Sequence, residues 1–549
     1  MKKFALVACL AAMLSACGGG GGGGGSTPVA SGPVAYSEPA LPAEFSVAQQ
    51  CTAPRPSGTL DPFSRQLYGD IQGSLTTEKL WVRVFVNDTY LWYQDVVALD
   101  PALFVPGASV THTEPSTNNT STVSLKSNLD AVQAYFNSQR SLQLTASGKP
   151  KDQFHFTYLT EEWVSLSTAG SSVGFGFELE LLASYPPRKV VVAYAEPGSP
   201  AALNNMGRGA QFVSVNGVLV SDGDPAVLNE GLFSPVAGKP YTFQVLDQGS
   251  SAPRTVTLTA GTVVSTPVQN VRTLPAPNSG VGYMQFNDHM ARAESQLIAA
   301  VQQLKSANNG AGITDLVLDL RYNGGGFLDI ASELAYMIAG PAATVGKTFE
   351  KTSYNNKNPF QQTDADTVTP FHALTQGFST TVGQALPHLA LPRVFVITGK
   401  GTCSASEAII NGLNGAGIKV ILMGGTSCGK PYGFYPQDNC SVTYFTIQFK
   451  GVNQAGFGDY ADGFSPGGTG TPANQLPGCV VADDFTKPLG DPTEARLAAA
   501  LLYRDKGLCP PSVSVLRSRP GELALGEPLA GRSKMRENRF YRPLTRPRP

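Results

Sequence analysis

The sequence predicts a multidomain α/β protein, and three observations predict it. First, residues 313–321 (ITDLVLDLR), 394–398 (VFVIT) and 419–423 (KVILM) are apolar runs of strand length. Helical spacing follows the first two, at 327–338 and 404–413, so strands and helices alternate as in βαβ units. Second, residues 174–261 break into short strands with Gly and Asn turns around one helix-like piece at 200–205, the pattern of a separate β-rich module. Third, a chain of 549 residues, 42% hydrophobic and 15% charged, is long enough for about two to four domains.

The chain opens on Met1-Lys2-Lys3 and a short apolar stretch ending in small residues. That stretch is short for a membrane span and reads as a secretory signal. Leu14-Ser15-Ala16-Cys17 resembles a bacterial lipobox, which implies cleavage before Cys17 and a lipid on its thiol. Residues 1–17 are therefore assigned to a lipoprotein signal. The glycine run 18–25 and the Ser/Pro-rich stretch behind it make 18–50 a flexible linker. Of the eight cysteines, Cys9 leaves with the signal and Cys17 takes the lipid. Cys51, Cys403, Cys428, Cys440, Cys479 and Cys509 remain, an even set suited to an oxidising compartment. Six cysteines allow about 15 pairings, and spacing does not choose among them.

Within 51–165 the stretches LWVRVFVNDTYLWY and LDAVQAYF have helical spacing, with Trp81 and Trp92 as core residues. Residues 166–268 enclose the β-rich module. Residues 269–510 hold the alternating strands and helices, with a polar, irregular insertion at 340–388 and a closing helix in PLGDPTEARLAAALLYR. Residues 511–549 carry nine Lys or Arg against three Glu and many prolines, the composition of a disordered, solvated tail. The net charge of −1 argues against general nucleic-acid binding.

Chemistry concentrates where the apolar strands end. Ser404 follows one strand and opens a helix; Lys430 follows the next. Strand ends of parallel units lie on one side of a sheet, so the two can meet as nucleophile and base. A free lysine has a pKa of about 10.4, so a base at neutral pH needs it lowered by about 3, or about 4 kcal/mol. Burial supplies effects of that size, and Cys428, Gly429, Pro431, Tyr432 and Phe434 bring no acid to oppose it. Ser404-Ala-Ser-Glu407 also fits a helix capping box, so a structural role stays open for Ser404. Gly324, Gly325 and Gly326 stand between strand and helix, where their amides can face an oxyanion or, equally, a phosphate. Five histidines are scattered outside any nucleophile motif, and no cluster has metal-ligand spacing.

Together DLRYNGGG, TCSASEAIINGL and GTSCGKPYGF resemble the tail-specific (C-terminal processing) protease family. The resemblance implies a crotonase-like α/β protease core, a small helical N-terminal domain and catalysis by a Ser/Lys dyad with no cofactor or metal. Ser404 would be nucleophile, Lys430 base, and Gly324 or Gly325 with Ala405 the oxyanion hole. Where the family carries a glutamine four residues after the lysine this chain has Phe434, and Gln437 is the candidate substitute for orienting Lys430. The pattern GFGF…PGSPA…VNG resembles a PDZ domain, which implies peptide binding around Phe175, Gly176 and Phe177. If Ser404 and Lys430 meet, Cys403 and Cys428 come close too, either bridged or as buried thiols. The expected protein is a lipid-anchored serine endopeptidase of the bacterial envelope, at the outer membrane facing periplasm or surface, acting on protein or peptide substrates. The rival readings are an inactive protease-like scaffold that binds peptides and, less suited to a secreted chain, an acyl-CoA enzyme of the crotonase type.

Overall fold

The computed structural model describes residues 36–61, 65–115, 117–145, 147–470 and 472–511, and the backbone of 539–541. The signal segment, Cys17, the glycine run and most of the basic tail lie outside the described residues. Among the described residues no helix is long and apolar enough to cross a membrane.

Ser74 and Thr77 exchange side-chain bonds with each other's backbone and start helix α1 (Leu75–Thr89), which buries Trp81, Val82 and Phe85. The helix stops at Tyr90, which turns extended and donates its O–H to the buried Asp152 at 2.6 Å. The aromatic run therefore breaks before Trp92. That ring is half-buried outside the helix, edge-on to Tyr432, and packs against the rim of the core that holds Trp81. Helix α2 (Asn128–Ser138) is capped likewise by Ser127 and Asp130, and strand β1 (Phe156–Leu159) follows.

The β-rich module has its own core. Strands β2 (Phe177–Ala183), β3 (Lys189–Ala195), β4 (Gln211–Val215), β5 (Pro240–Leu246) and β6 (Arg254–Thr259) pair in the order β6-β5-β4-β3-β2. Helix α3 (Pro225–Phe233) precedes β5 and packs beside β4. In β5, Tyr241, Phe243 and Val245 point inward while Pro240, Thr242 and Gln244 face solvent, the period of a strand with one wet face. Phe175, Phe212, Tyr241 and Phe243 close an aromatic cluster at its centre.

The larger body is built on strands β7 (Val268–Thr273), β8 (Val281–Phe286), β9 (Asp315–Asp319), β11 (Arg393–Thr398), β12 (Lys419–Gly424) and β16 (Gly478–Val480), paired in that order. All pairs are parallel except β7 with β8. Helix α4 (Ala293–Lys305) links β8 to β9. The short β10 (Gly325–Phe327) and α5 (Leu328–Ala339) follow β9, and α6 (Ala405–Gly415) follows β11. After β12 come β13 (Tyr432–Gly433), β14 (Gln437–Asn439) and β15 (Val442–Phe445). Helix α7 (Ala495–Lys506) closes the body. Because β9, β11 and β12 run the same way, the segments leaving them emerge at one edge.

Three expectations about the chain's layout change. The N-terminal helical segment is no independent domain: Trp81 and Phe85 pack on Tyr444, β1 pairs antiparallel with β15, and Cys51 bonds Cys440. Strand Thr348–Tyr354 forms inside the insertion expected to be irregular and pairs with Phe449–Val452. All six remaining cysteines are bridged, the other pairs being Cys403–Cys428 and Cys479–Cys509. In the tail, where composition predicts no structure, Arg539–Tyr541 (β17) pair with β10.

Candidate active site

Ser404 sits between β11 and α6 with φ +61°, ψ −115°, a conformation that an L-residue holds only when its surroundings enforce it. The surroundings do so. Thr402 Oγ1 donates to Leu320 O at 2.8 Å, and the Cys403 N–H donates to Asn323 O at 3.0 Å. Ser404 is fully buried and its Oγ has no hydrogen-bond partner. The expected capping-box arrangement forms: Glu407 accepts the Ser404 N–H at 2.9 Å, while the Ser404 hydroxyl faces the Glu407 backbone without making a full hydrogen bond.

Glu407 is the hub of the site. Its Oε2 also accepts the Lys430 N–H, at 2.8 Å, so the Ser404 and Lys430 backbones hang on a single oxygen atom. Its Oε1 accepts the Ser427 O–H at 2.5 Å and the Gly429 N–H at 2.8 Å. Burial pushes this carboxyl up against the pull of those donors. Gly429 holds φ +91°, and a Cβ there would stand 2.2 Å from Ala461 O, so only glycine lets the loop bring Lys430 in. The Cys403–Cys428 bridge joins the same two loops, with Cα atoms 5.2 Å apart. Cys403, Glu407 and Cys428 are also grouped closely enough to suggest a metal site, but the two sulfurs are bonded to each other and offer no thiolate.

Lys430 is completely buried. Its Nζ lies 4.5 Å from the Phe154 ring centre and 4.3 Å from that of Phe434. Burial drives its pKa well below the ordinary lysine value, against the opposing fields of Asp152 and Glu407. Phe434 therefore forms one wall of the lysine pocket. Gln437 lies in β14, in register with Tyr444, and its side chain makes no hydrogen bond among the described residues. Asp152 accepts Tyr90 O–H at 2.6 Å and the Phe154 N–H at 2.9 Å. Burial raises its pKa, and His155, Tyr90 and the Phe154 amide more than reverse that.

The glycine loop is held by Asn323. Its Oδ1 accepts the Gly325 N–H at 3.0 Å and meets His289 Nδ1 at 3.0 Å, while Nδ2 donates to Phe286 O. Its backbone carbonyl accepts from Cys403 N–H and Ser406 O–H, which ties this loop to the Ser404 turn. Burial lowers the His289 pKa to about 3, so the ring is neutral. Gly325 is thus occupied within the loop. The Gly324 N–H and the Ala405 N–H at the start of α6 make no bond among the described residues and remain available to a ligand oxygen. Asn323, Glu407, Asp152 and Phe154 complete the site. Of these, sequence reading singled out Glu407 alone, as the far end of the capping box.

The β-rich module touches this edge through Arg208. It donates to Tyr322 O–H at 2.7 Å and to Asp483 at 2.7 Å, and Tyr322 precedes Asn323 in the chain. The module also has a groove between residues 172–178 and the end of α3, lined by Phe175, Gly176, Phe177, Leu232 and Phe233. Phe175 and Phe177 are largely buried, so backbone forms much of what the groove offers.

Comparison with known proteins concerns the segment that holds these loops. Residues 280–435, which span the glycine loop, Ser404 and Lys430, match the model of Peptidase family S41. A carboxyl-terminal-processing protease of Picosynechococcus sp. is 26% identical over 274 residues, covering 49% of this chain and 56% of the relative. One from Synechocystis sp. is 24% identical over 253 residues, covering 46% and 51%. The chain spans about half the length of the curated relatives it matches. The solved structure of a protein assigned to the S41 proteases, from Bacteroides fragilis NCTC 9343, aligns with TM-score 0.54 at 21% identity, over 81% of this chain and 99% of that one; this likeness concerns the fold. The resemblance to the tail-specific proteases holds.

Proposed function

From a chain that carries the Peptidase family S41 pattern across its buried serine and lysine, we propose a serine endopeptidase that cuts protein or peptide chains with Ser404 and Lys430. One observation carries the reading: a strained, buried serine with an unpartnered hydroxyl shares a single Glu407 oxygen, through the backbone, with a lysine whose pKa burial drives well down. A scaffold that only bound peptides would need neither feature.

In this reading Ser404 Oγ attacks the peptide carbonyl and its proton passes to the Lys430 amine. Gly324 and Ala405 N–H groups hold the oxyanion, with Gly325 freed for that duty only if Asn323 releases it. The protonated lysine then delivers its proton to the leaving amine. The Lys430 amine, neutral again, next activates the water that hydrolyses the acyl-enzyme. The Phe175–Phe177 groove would recognise substrate tails by strand addition. Lipid on Cys17 would hold the enzyme at the bacterial envelope.

Mass spectrometry of envelope-derived peptides incubated with the purified protein tests the proposal. New termini should appear with the wild type and be absent with Ser404→Ala; identical peptide maps would refute it. The geometry assigns Asn323 a positioning role, so Asn323→Ala should lower kcat by about 100-fold with KM little changed. Equal losses in kcat and thermal stability would instead mark a purely structural residue.

A further inference from the structure

The tail strand lies beside the loops of the proposed catalytic site. Gly325, Gly326 and Phe327 pair in parallel register with Arg539, Phe540 and Tyr541. The same tail strand approaches β13 (Tyr432–Gly433), which begins two residues beyond Lys430, to within 8 Å between Cα atoms. Strand β17 thus runs between the segment that follows the proposed oxyanion donors and the segment that follows the proposed base. Backbone pairing is the part of peptide recognition that does not depend on side chains, so a groove that accepts this strand accepts extended peptides generally.

We propose that the chain's own C-terminal segment occupies the substrate groove, adding a strand to Gly325–Phe327 and acting as a built-in competitor of extended peptide substrates. The proposal deepens the protease reading and rests on it for the meaning of the groove. The connection is long enough. Between Pro511 and Arg539 the chain can span roughly 90 Å when extended, more than the distance across a domain of this size. A tethered segment competes at an effective concentration of about millimolar, so even weak pairing keeps the groove filled until a better peptide arrives.

The test uses the full-length protein. Phe540→Pro removes an N–H from the middle of the strand and disfavours pairing there. Peptide kcat/KM should rise about tenfold through a lower KM, independently of enzyme concentration. A fluorescein-labelled peptide of residues 535–549 should bind full-length Ser404→Ala/Phe540→Pro about tenfold more tightly than Ser404→Ala alone, by fluorescence anisotropy. Equal binding to the two proteins, or binding to neither, overturns the proposal. So does a gain in kcat/KM that vanishes on dilution, which would point to a neighbour's tail, or a wild-type chain that shortens at its own tail during storage. The anisotropy measurement needs no catalysis. If it behaves as expected while no variant cuts any peptide, the tail contact stands and the protease reading falls.

Discussion

Lys430→Met is expected to abolish peptide hydrolysis while raising the melting temperature at neutral pH. Methionine keeps the length of the side chain and its contacts with Phe154 and Phe434, and it removes the titrating amine. The buried amine has a pKa well below the ordinary value, whereas in the unfolded chain it titrates near about 10.4. Between those two values the unfolded chain binds one more proton than the folded one. Stability therefore rises with pH across that window, and the lysine is a burden below it. Thermal melts should show Lys430→Met more stable than wild type at pH 7, by at least about 2 °C, with the gain shrinking toward about pH 10. The peptidase rate of the wild type should climb with pH through the lowered pKa of the same group. A methionine variant less stable than wild type at pH 7 would mean that the folded lysine is charged and paired, and the proposed base would be lost.

Ser404→Ala should cost about 10⁴- to 10⁶-fold in kcat, because the proposed nucleophile itself is gone. It too should stabilise the fold. A buried hydroxyl without a partner costs roughly 1–3 kcal/mol, and alanine removes it without changing the backbone. Ser404→Gly should go further, since glycine tolerates φ +61° without strain, adding about 1 kcal/mol. Chemical denaturation of the three proteins checks the order glycine, alanine, serine. A destabilised alanine variant would show that Ser404 serves as a structural cap. Two substitutions that each remove activity and add stability are the signature of groups retained for chemistry.

The parts legible in the sequence were local ones. The strands and helices around Ser404, Lys430 and the glycines end within a few residues of where periodicity places them, because short apolar runs and turn residues act over a few positions. What stayed hidden was brought in from afar. Phe154 and Asp152 reach the lysine pocket from the N-terminal segment, which looked like a domain of its own because its helical spacing says nothing about which body it packs against. Asn323 gave no signal, since a polar residue before three glycines reads as ordinary turn chemistry. Glu407 was visible as a helix cap, yet its bonds to Ser427, Gly429 and Lys430 depend on a loop two elements later. The paired tail residues come from a segment whose composition speaks only for solvation.

The bond between Cys403 and Cys428 staples the loop bearing the proposed nucleophile to the loop bearing the proposed base. Such a link forms where thiols are oxidised and stays open in a cytoplasm rich in reductant. A freshly made chain would therefore carry its cutting residues on two unfastened arms, and would become competent only after leaving the reducing interior of the cell that made it. Under the proposed protease reading, export itself would arm the enzyme, sparing the maker's own proteins.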